Sequence, residues 1–167
     1  MKKGFNIVLI GMPGCGKSTI GEIISYKLKM NLLDLDRYIE KFQGNTIAEI
    51  FKMGEEYFRN IESKCAAEVS KKKNTVICTG GGIVKKQENI ENLKENGVIV
   101  FINRPLENII ADVDTSSRPL LKDNKDNLYS LYDERHDLYK KYCDIEVENL
   151  KDISSVVNTI IKKINEA

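Results

Sequence analysis

The sequence predicts a three-layer α/β fold, a parallel sheet of five strands flanked by helices, on two observations. Strand-like and helix-like segments alternate from one end of the chain to the other, the pattern of a parallel sheet whose connections are helical. The strand candidates are short β-branched runs with little alternation of polarity, as expected where both faces of a strand are buried. With 167 residues and neither linker nor internal repeat, the chain reads as one domain, 1–167. A chain of that size buries about 70% of its unfolded surface and needs no disulfide or metal to fold.

The expected strands are Phe5 to Ile10, Asn31 to Leu35, Thr75 to Thr79, Val98 to Ile102 and Asp144 to Val147. A helix is expected from about Glu55 to Lys72, because Phe58, Ile61, Cys65 and Val69 share one face. Leu106, Ile109, Ile110 and Val113 repeat at helical spacing, as do Ile153, Val156, Val157, Ile160, Ile161 and Ile164, and both stripes are read as core. The run Lys71-Lys72-Lys73 is read as a solvated helix end whose cations complement the helix dipole. Asp114 to Asn127, apolar only at Leu120 and Leu121, breaks the alternation and is read as a surface loop. The sole histidine, His136, is expected on an exposed helix face.

Composition narrows the function classes. The 26 Lys and Arg balance 25 Asp and Glu at a net charge of +1, which excludes the strong field of a general nucleic-acid binder. No stretch approaches the ~20 apolar residues of a membrane span. The apolar run after Met1-Lys2-Lys3 is shorter than the ~7 to 15 residues of a secretory core. Cys15, Cys65, Cys78 and Cys143 form no Cys-x-x-Cys pair, so neither a zinc knuckle nor a disulfide framework is expected, and a reducing cytoplasm fits them. The expected partners are small molecules, with no nucleic acid and no membrane.

The strongest signal is Gly11-Met12-Pro13-Gly14-Cys15-Gly16-Lys17-Ser18, which fits G-x-x-x-x-G-K-[ST] between an expected strand and an expected helix. Glycines let backbone N–H groups converge on an anion, the helix N-terminus adds partial positive charge, Lys17 reaches the β- and γ-phosphates, and Ser18 ligates Mg²⁺. Cys15 occupies an unspecified position whose N–H serves phosphate. The loop alone leaves open a switch ligand, a mechanical fuel or a phosphoryl donor. A guanine-reading Asn-Lys-x-Asp is not met by Asn124-Lys125-Asp126, whose spacing differs.

Asp34-Leu35-Asp36 ends the second expected strand, where residues two apart share a face. One carboxylate there suits Mg²⁺ and the other a proton from a substrate hydroxyl, the bland alternative being that Asp36 caps a helix starting near Arg37. Arg59 and Glu62 are three apart on a helix, close enough to pair. Thr79-Gly80-Gly81-Gly82 follows the third strand and lets backbone approach a ligand. Arg118, before Pro119-Leu120-Leu121, and Arg135, four residues before Tyr139, complete a set of cations suited to clamping a small anionic substrate opposite a phosphate donor.

Taken together these residues resemble the shikimate kinases, among the nucleoside monophosphate kinase-like P-loop enzymes, over nearly the whole chain. The motifs are Gly11 to Thr19, Asp34 to Asp36, Gly54-Glu55 with Phe58-Arg59 and Glu62, Thr79 to Gly82, Arg118 to Leu121, and Arg135 with Leu138-Tyr139. The resemblance implies a strand order 2-3-1-4-5, a substrate-binding region at about 34–62 and a lid at about 112–126. It implies transfer of the γ-phosphoryl group of ATP to the 3-hydroxyl of shikimate, in the route to chorismate and the aromatic amino acids, by a cytoplasmic monomer. By the same likeness Gly14, Cys15, Gly16, Lys17, Ser18, Thr19 and Arg118 bind ATP, and Ser18 with Asp34 holds Mg²⁺. Asp36 is the candidate base and contacts the shikimate hydroxyls, Arg59 and Arg135 grip the carboxylate, and Gly81 and Gly82 offer backbone contacts. Lys17, Asp36 and Arg118 are then the catalytic residues. The pattern departs at Ala111, where many relatives carry an Arg that stacks on adenine, and at Asn149-Leu150, where many have Asn-Pro. The rival readings are a kinase of gluconate or of a nucleoside monophosphate, and a non-catalytic nucleotide-binding regulator.

Overall fold

The structure, a computed structural model, describes residues 4–115, 125–150 and 152–167. Its sheet is fully parallel, in the order β2-β3-β1-β4-β5. At the centre is β1 (Asn6–Ile10), buried along its whole length. The polar member of that strand, Asn6, is satisfied by its neighbours: its amide donates to Lys72 O at 2.7 Å and accepts from Thr75 N at 3.1 Å.

The other strands are β2 (Asn31–Asp34), β3 (Thr75–Cys78), β4 (Gly97–Asn103) and β5 (Ile145–Glu148). All five lie where the sequence places them, with ends shifted by a residue or two. Burial on both faces holds for β1 and β3, whereas β2 is an edge strand whose Asn31 and Leu32 are exposed. Leu32 and Leu33 thus carry their apolar character for a half-open position that sequence pattern does not distinguish from a central one.

Among the described residues eight helices accompany the sheet: α1 (Lys17–Leu28), α2 (Leu35–Gln43), α3 (Ile47–Lys52), α4 (Glu55–Ser70), α5 (Gln87–Glu95), α6 (Leu106–Thr115), α7 (Lys125–Tyr142) and α8 (Ile153–Glu166). A 3₁₀ turn spans Ile83–Lys85. Helix α4 stops at Ser70, two residues before the expected end, and the three lysines after it are exposed. The expected loop Asp114 to Asn127 is shorter than its composition suggests, since α6 takes Asp114 and Thr115 and α7 takes Lys125 to Asn127. Its remainder, with Arg118 and the centre of the expected lid, lies outside the described residues. His136 is half-buried rather than exposed: its ring stacks on Tyr132 at 4.4 Å and meets the edge of Phe101, and desolvation lowers its pKa.

Connections from β1 to β2 run one way across the sheet and those from β3 to β4 run the other. Right-handed crossings then put α1 and α5 on opposite faces, with α8 packed against α1 and with α4 packed against α5. The reversal falls between β1 and β3, and ligands of open α/β sheets bind at that switch point, beyond the strands' carboxyl ends. Among the described residues no helix is long and apolar enough to cross a membrane.

Candidate active site

The carboxyl end of β1 runs into the glycine loop, whose conformation requires its glycines. Gly14 and Gly16 have φ of +79° and +103°, in the left-handed region that side chains rarely adopt, and Gly16 caps α1. Lys17 folds back over the loop, and its ammonium donates to Gly11 O at 2.7 Å and Met12 O at 2.9 Å. It is 9% exposed, so the charge is held in place before any phosphate arrives. Ser18 and Thr19 are exposed in the first turn of α1. Cys15 is fully buried with its sulfur 3.6 Å from the Lys17 ammonium, an enclosed position unlike that of an accessible redox thiol.

At the end of β2 the structure corrects the sequence reading. Leu35 already belongs to α2, so Asp34 and Asp36 are not alternate residues of one strand. The cap of α2 is Asp34, whose Oδ1 accepts from Arg37 N at 3.0 Å, and this leaves Asp36 in the first turn free of that duty. Burial, and then the nearby Asp34 charge, push the Asp36 carboxyl above its ordinary value, against the opposing pull of Lys17 and Arg59.

Arg59 and Glu62 pair as expected, at 2.8 Å, but in the interior rather than at the surface. Arg59 is 8% and Glu62 1% exposed. The guanidinium also reaches Glu55 at 3.4 Å and lies 5.1 Å from the Phe58 ring centroid. A cation locked between two carboxylates and an aromatic face keeps one orientation, as a bidentate anion clamp requires. Glu55 belongs to the Gly54-Glu55 motif, whereas Lys85, which bridges Glu55 and Glu134 at 2.8 Å each, does not stand out in the sequence, because surface helices and turns carry many such charges.

Three glycines after β3 draw these parts together. A methyl group on Gly80 would lie 2.9 Å from Asp36 Oδ1, one on Gly81 would lie 2.9 Å from Pro13 Cδ and 3.3 Å from Arg135 Nη1, and one on Gly82 would collide with the Arg59 guanidinium. Asp36, the phosphate loop, Arg135 and Arg59 therefore all meet one bare stretch of backbone. Its position is fixed from α7, where the Tyr139 hydroxyl donates to Gly81 O at 2.6 Å. Arg135 is 7% exposed, and its Nε has no hydrogen-bond partner among the described residues. Such a buried donor is costly unless an acceptor completes it.

The site thus sets the glycine loop beside a bare stretch of backbone that the Asp36 carboxylate and two buried guanidinium groups approach. A family model described as shikimate kinase matches residues 13–165. The chain belongs to the shikimate kinase family. A shikimate kinase of Clostridium botulinum (strain Eklund 17B / Type B) is 54% identical over 95% of this chain and 96% of its own. Among solved structures, the shikimate kinase from Acinetobacter baumannii in complex with shikimate has a TM-score of 0.87 at 32% identity, covering 97% of this chain and 93% of that one. The shikimate kinase from Bacteroides thetaiotaomicron has a TM-score of 0.89 at 28% identity, covering 97% and 99%. As a shikimate kinase, the chain is an ATP-dependent phosphotransferase with a hydroxyl acceptor, and the gluconate, nucleotide and regulator readings fall away.

Proposed function

We propose that this chain phosphorylates the 3-hydroxyl of shikimate from ATP with Asp36 as the base and with Arg59 and Arg135 as the carboxylate clamp. The observation that supports these roles is the convergence of Asp36, Arg59, Arg135 and Pro13 of the phosphate loop on Gly80 to Gly82. Phosphoryl transfer asks little covalent chemistry of the protein, so positioning and charge make up most of the catalysis. Backbone N–H groups of Gly14, Cys15 and Gly16, with the first turn of α1 at Ser18 and Thr19, hold the phosphates. Lys17 neutralises charge on the phosphoryl oxygens, a task shared with Arg118 by the family likeness. Asp36, with its raised pKa, takes the acceptor proton as the oxygen attacks. Gly81 and Gly82 let the acceptor ring lie against backbone.

The donor set fits Mg²⁺. Ser18 closes the loop motif and Asp34 ends β2, and each offers an oxygen donor. Two protein oxygens suit an ion held mainly by phosphates and water. When bound, Mg²⁺ supplies charge neutralisation for the β- and γ-phosphates.

Near-neutral charge suits a cytoplasmic enzyme of small molecules. Shikimate-dependent release of ADP from Mg²⁺-ATP, run beside gluconate, AMP and GMP as acceptors, tests the reading. Stimulation by shikimate alone is expected, and equal turnover with another acceptor would overturn the acceptor assignment.

A further inference from the structure

The phosphate loop is braced from outside by Arg104, which none of the motifs contains, and by Asn149 of the Asn149-Leu150 pair. Gly14 O accepts from Arg104 Nη1 at 3.1 Å, and Cys15 O accepts from Asn149 Nδ2 at 2.9 Å. Arg104 follows β4 and Asn149 follows β5, and the two strand ends are themselves joined by Asn149 N donating to Asn103 O at 2.8 Å. The second guanidinium nitrogen of Arg104 pairs with Asp112 of α6 at 2.6 Å. From the same helix Ile109 packs on the loop, within 3.3 Å of where a side chain on Gly14 would begin.

These contacts act on peptide planes. A peptide C=O and the N–H of the next residue point in opposite directions, so holding one fixes the other. Arg104 holds the Gly14–Cys15 unit, whose N–H closes the loop on Met12 O at 3.1 Å. Asn149 holds the Cys15–Gly16 unit and thereby turns the Gly16 N–H toward the side away from β5. Gly14, in the left-handed region, is among the residues of this turn with most freedom to lose, and it is the one that Arg104 grips. The planar fork suits the task, since it spans a carbonyl and a carboxylate at once.

We infer that Arg104 is a positioning residue for the nucleotide: it preorganises the phosphate loop by fixing the Gly14–Cys15 peptide, with Asp112 fixing the guanidinium. Preorganisation of this kind raises affinity by removing an ordering cost at the moment of binding. Arg104 has no part in the acceptor pocket, so its loss changes nucleotide binding and leaves shikimate binding alone. Because it acts on the loop rather than on the base, the loss is shared by any ligand that fills the phosphate cradle.

The test is calorimetric binding of ADP, inorganic tripolyphosphate and shikimate to full-length wild type, R104Q and R104K. R104Q is expected to weaken ADP and tripolyphosphate alike, by about tenfold for one charged hydrogen bond, with shikimate unchanged. R104K, which keeps the charge but not the fork, falls between. Unchanged ADP affinity in R104Q overturns the inference, as does an equal loss for shikimate, or a loss for ADP that tripolyphosphate does not share. If R104Q does not fold, R104K decides, weaker ADP binding supporting the role and wild-type binding overturning it. The inference rests on the kinase reading: wild type that binds no ADP overturns both, whereas normal wild type beside an unaltered variant overturns this role alone.

Discussion

Replacing Glu62 with alanine leaves the Arg59 guanidinium buried without its nearer carboxylate. Glu62 is 1% exposed and accepts from Arg59 Nη1 at 2.8 Å, whereas Glu55 is 3.4 Å away and half exposed. Removing one partner of a buried ion pair costs about 3–5 kcal/mol, because the remaining charge is uncompensated. Glu55 and the rings of Phe51 and Phe58, whose centroids lie 5.8 and 5.1 Å from the guanidinium carbon, still attract the cation and place the cost near the lower limit, about 3 kcal/mol. In a domain of this size that lowers Tm by roughly 6–12 °C. Thermal unfolding of wild type, E62A, R59A and the double variant, followed by circular dichroism at neutral pH, gives the loss and the coupling together. A coupling of about 1.5 kcal/mol or more is expected for two groups in direct contact. If E62A costs less than about 1 kcal/mol, or if the two substitutions simply add, Glu62 does not hold Arg59 and the account of the clamp fails.

Three further outcomes are expected. Asp36 is held above its ordinary value, and its ionised form is the proposed base, so kcat/KM for shikimate is expected to fall as pH drops through that raised value. By the same shift the folded state keeps a proton that the unfolded chain has released, so stability falls as pH rises through that window; Asp36→Asn removes both effects while ADP still binds, and an acid limb at the ordinary aspartate value contradicts the assignment. Arg135→Ala weakens shikimate binding by about 1.5–3 kcal/mol, roughly ten- to hundredfold, with ADP affinity unaltered, and calorimetric affinities that do not move would take Arg135 out of the clamp. Gly21→Ala, which elsewhere in a helix gains up to about 1 kcal/mol, here drives a methyl group into Cys78 Sγ and costs about 1–3 kcal/mol instead, so that Tm falls; a rise in Tm would refute the packing between α1 and β3.

The sequence by itself determined the five strands, the parallel architecture and the phosphate loop. These depend on local chemistry: β-branched runs favour strands, and a turn with φ above zero around an anion demands glycine at fixed positions. It also offered the residue types proposed for the acceptor site, Asp36, Arg59, Gly81, Gly82 and Arg135, because their order matched a known family. Tertiary structure alone decided their environments. The pair Arg59–Glu62 reads as an ordinary surface couple until α4 is packed against its neighbours, and only then are both ends desolvated. Asp34 and Asp36 look interchangeable in a strand, and they diverge because the chain turns into α2 one residue sooner, so that Asp34 caps the helix through Oδ1 and Asp36 lies in its first turn with no capping duty. Arg104 and Asn149 were invisible as loop supports for a similar reason. Their partners, Gly14 O and Cys15 O, are backbone atoms about 90 and 134 residues away. A bond to backbone at that separation leaves no residue pattern in the sequence, since any amino acid at the acceptor position offers the same carbonyl.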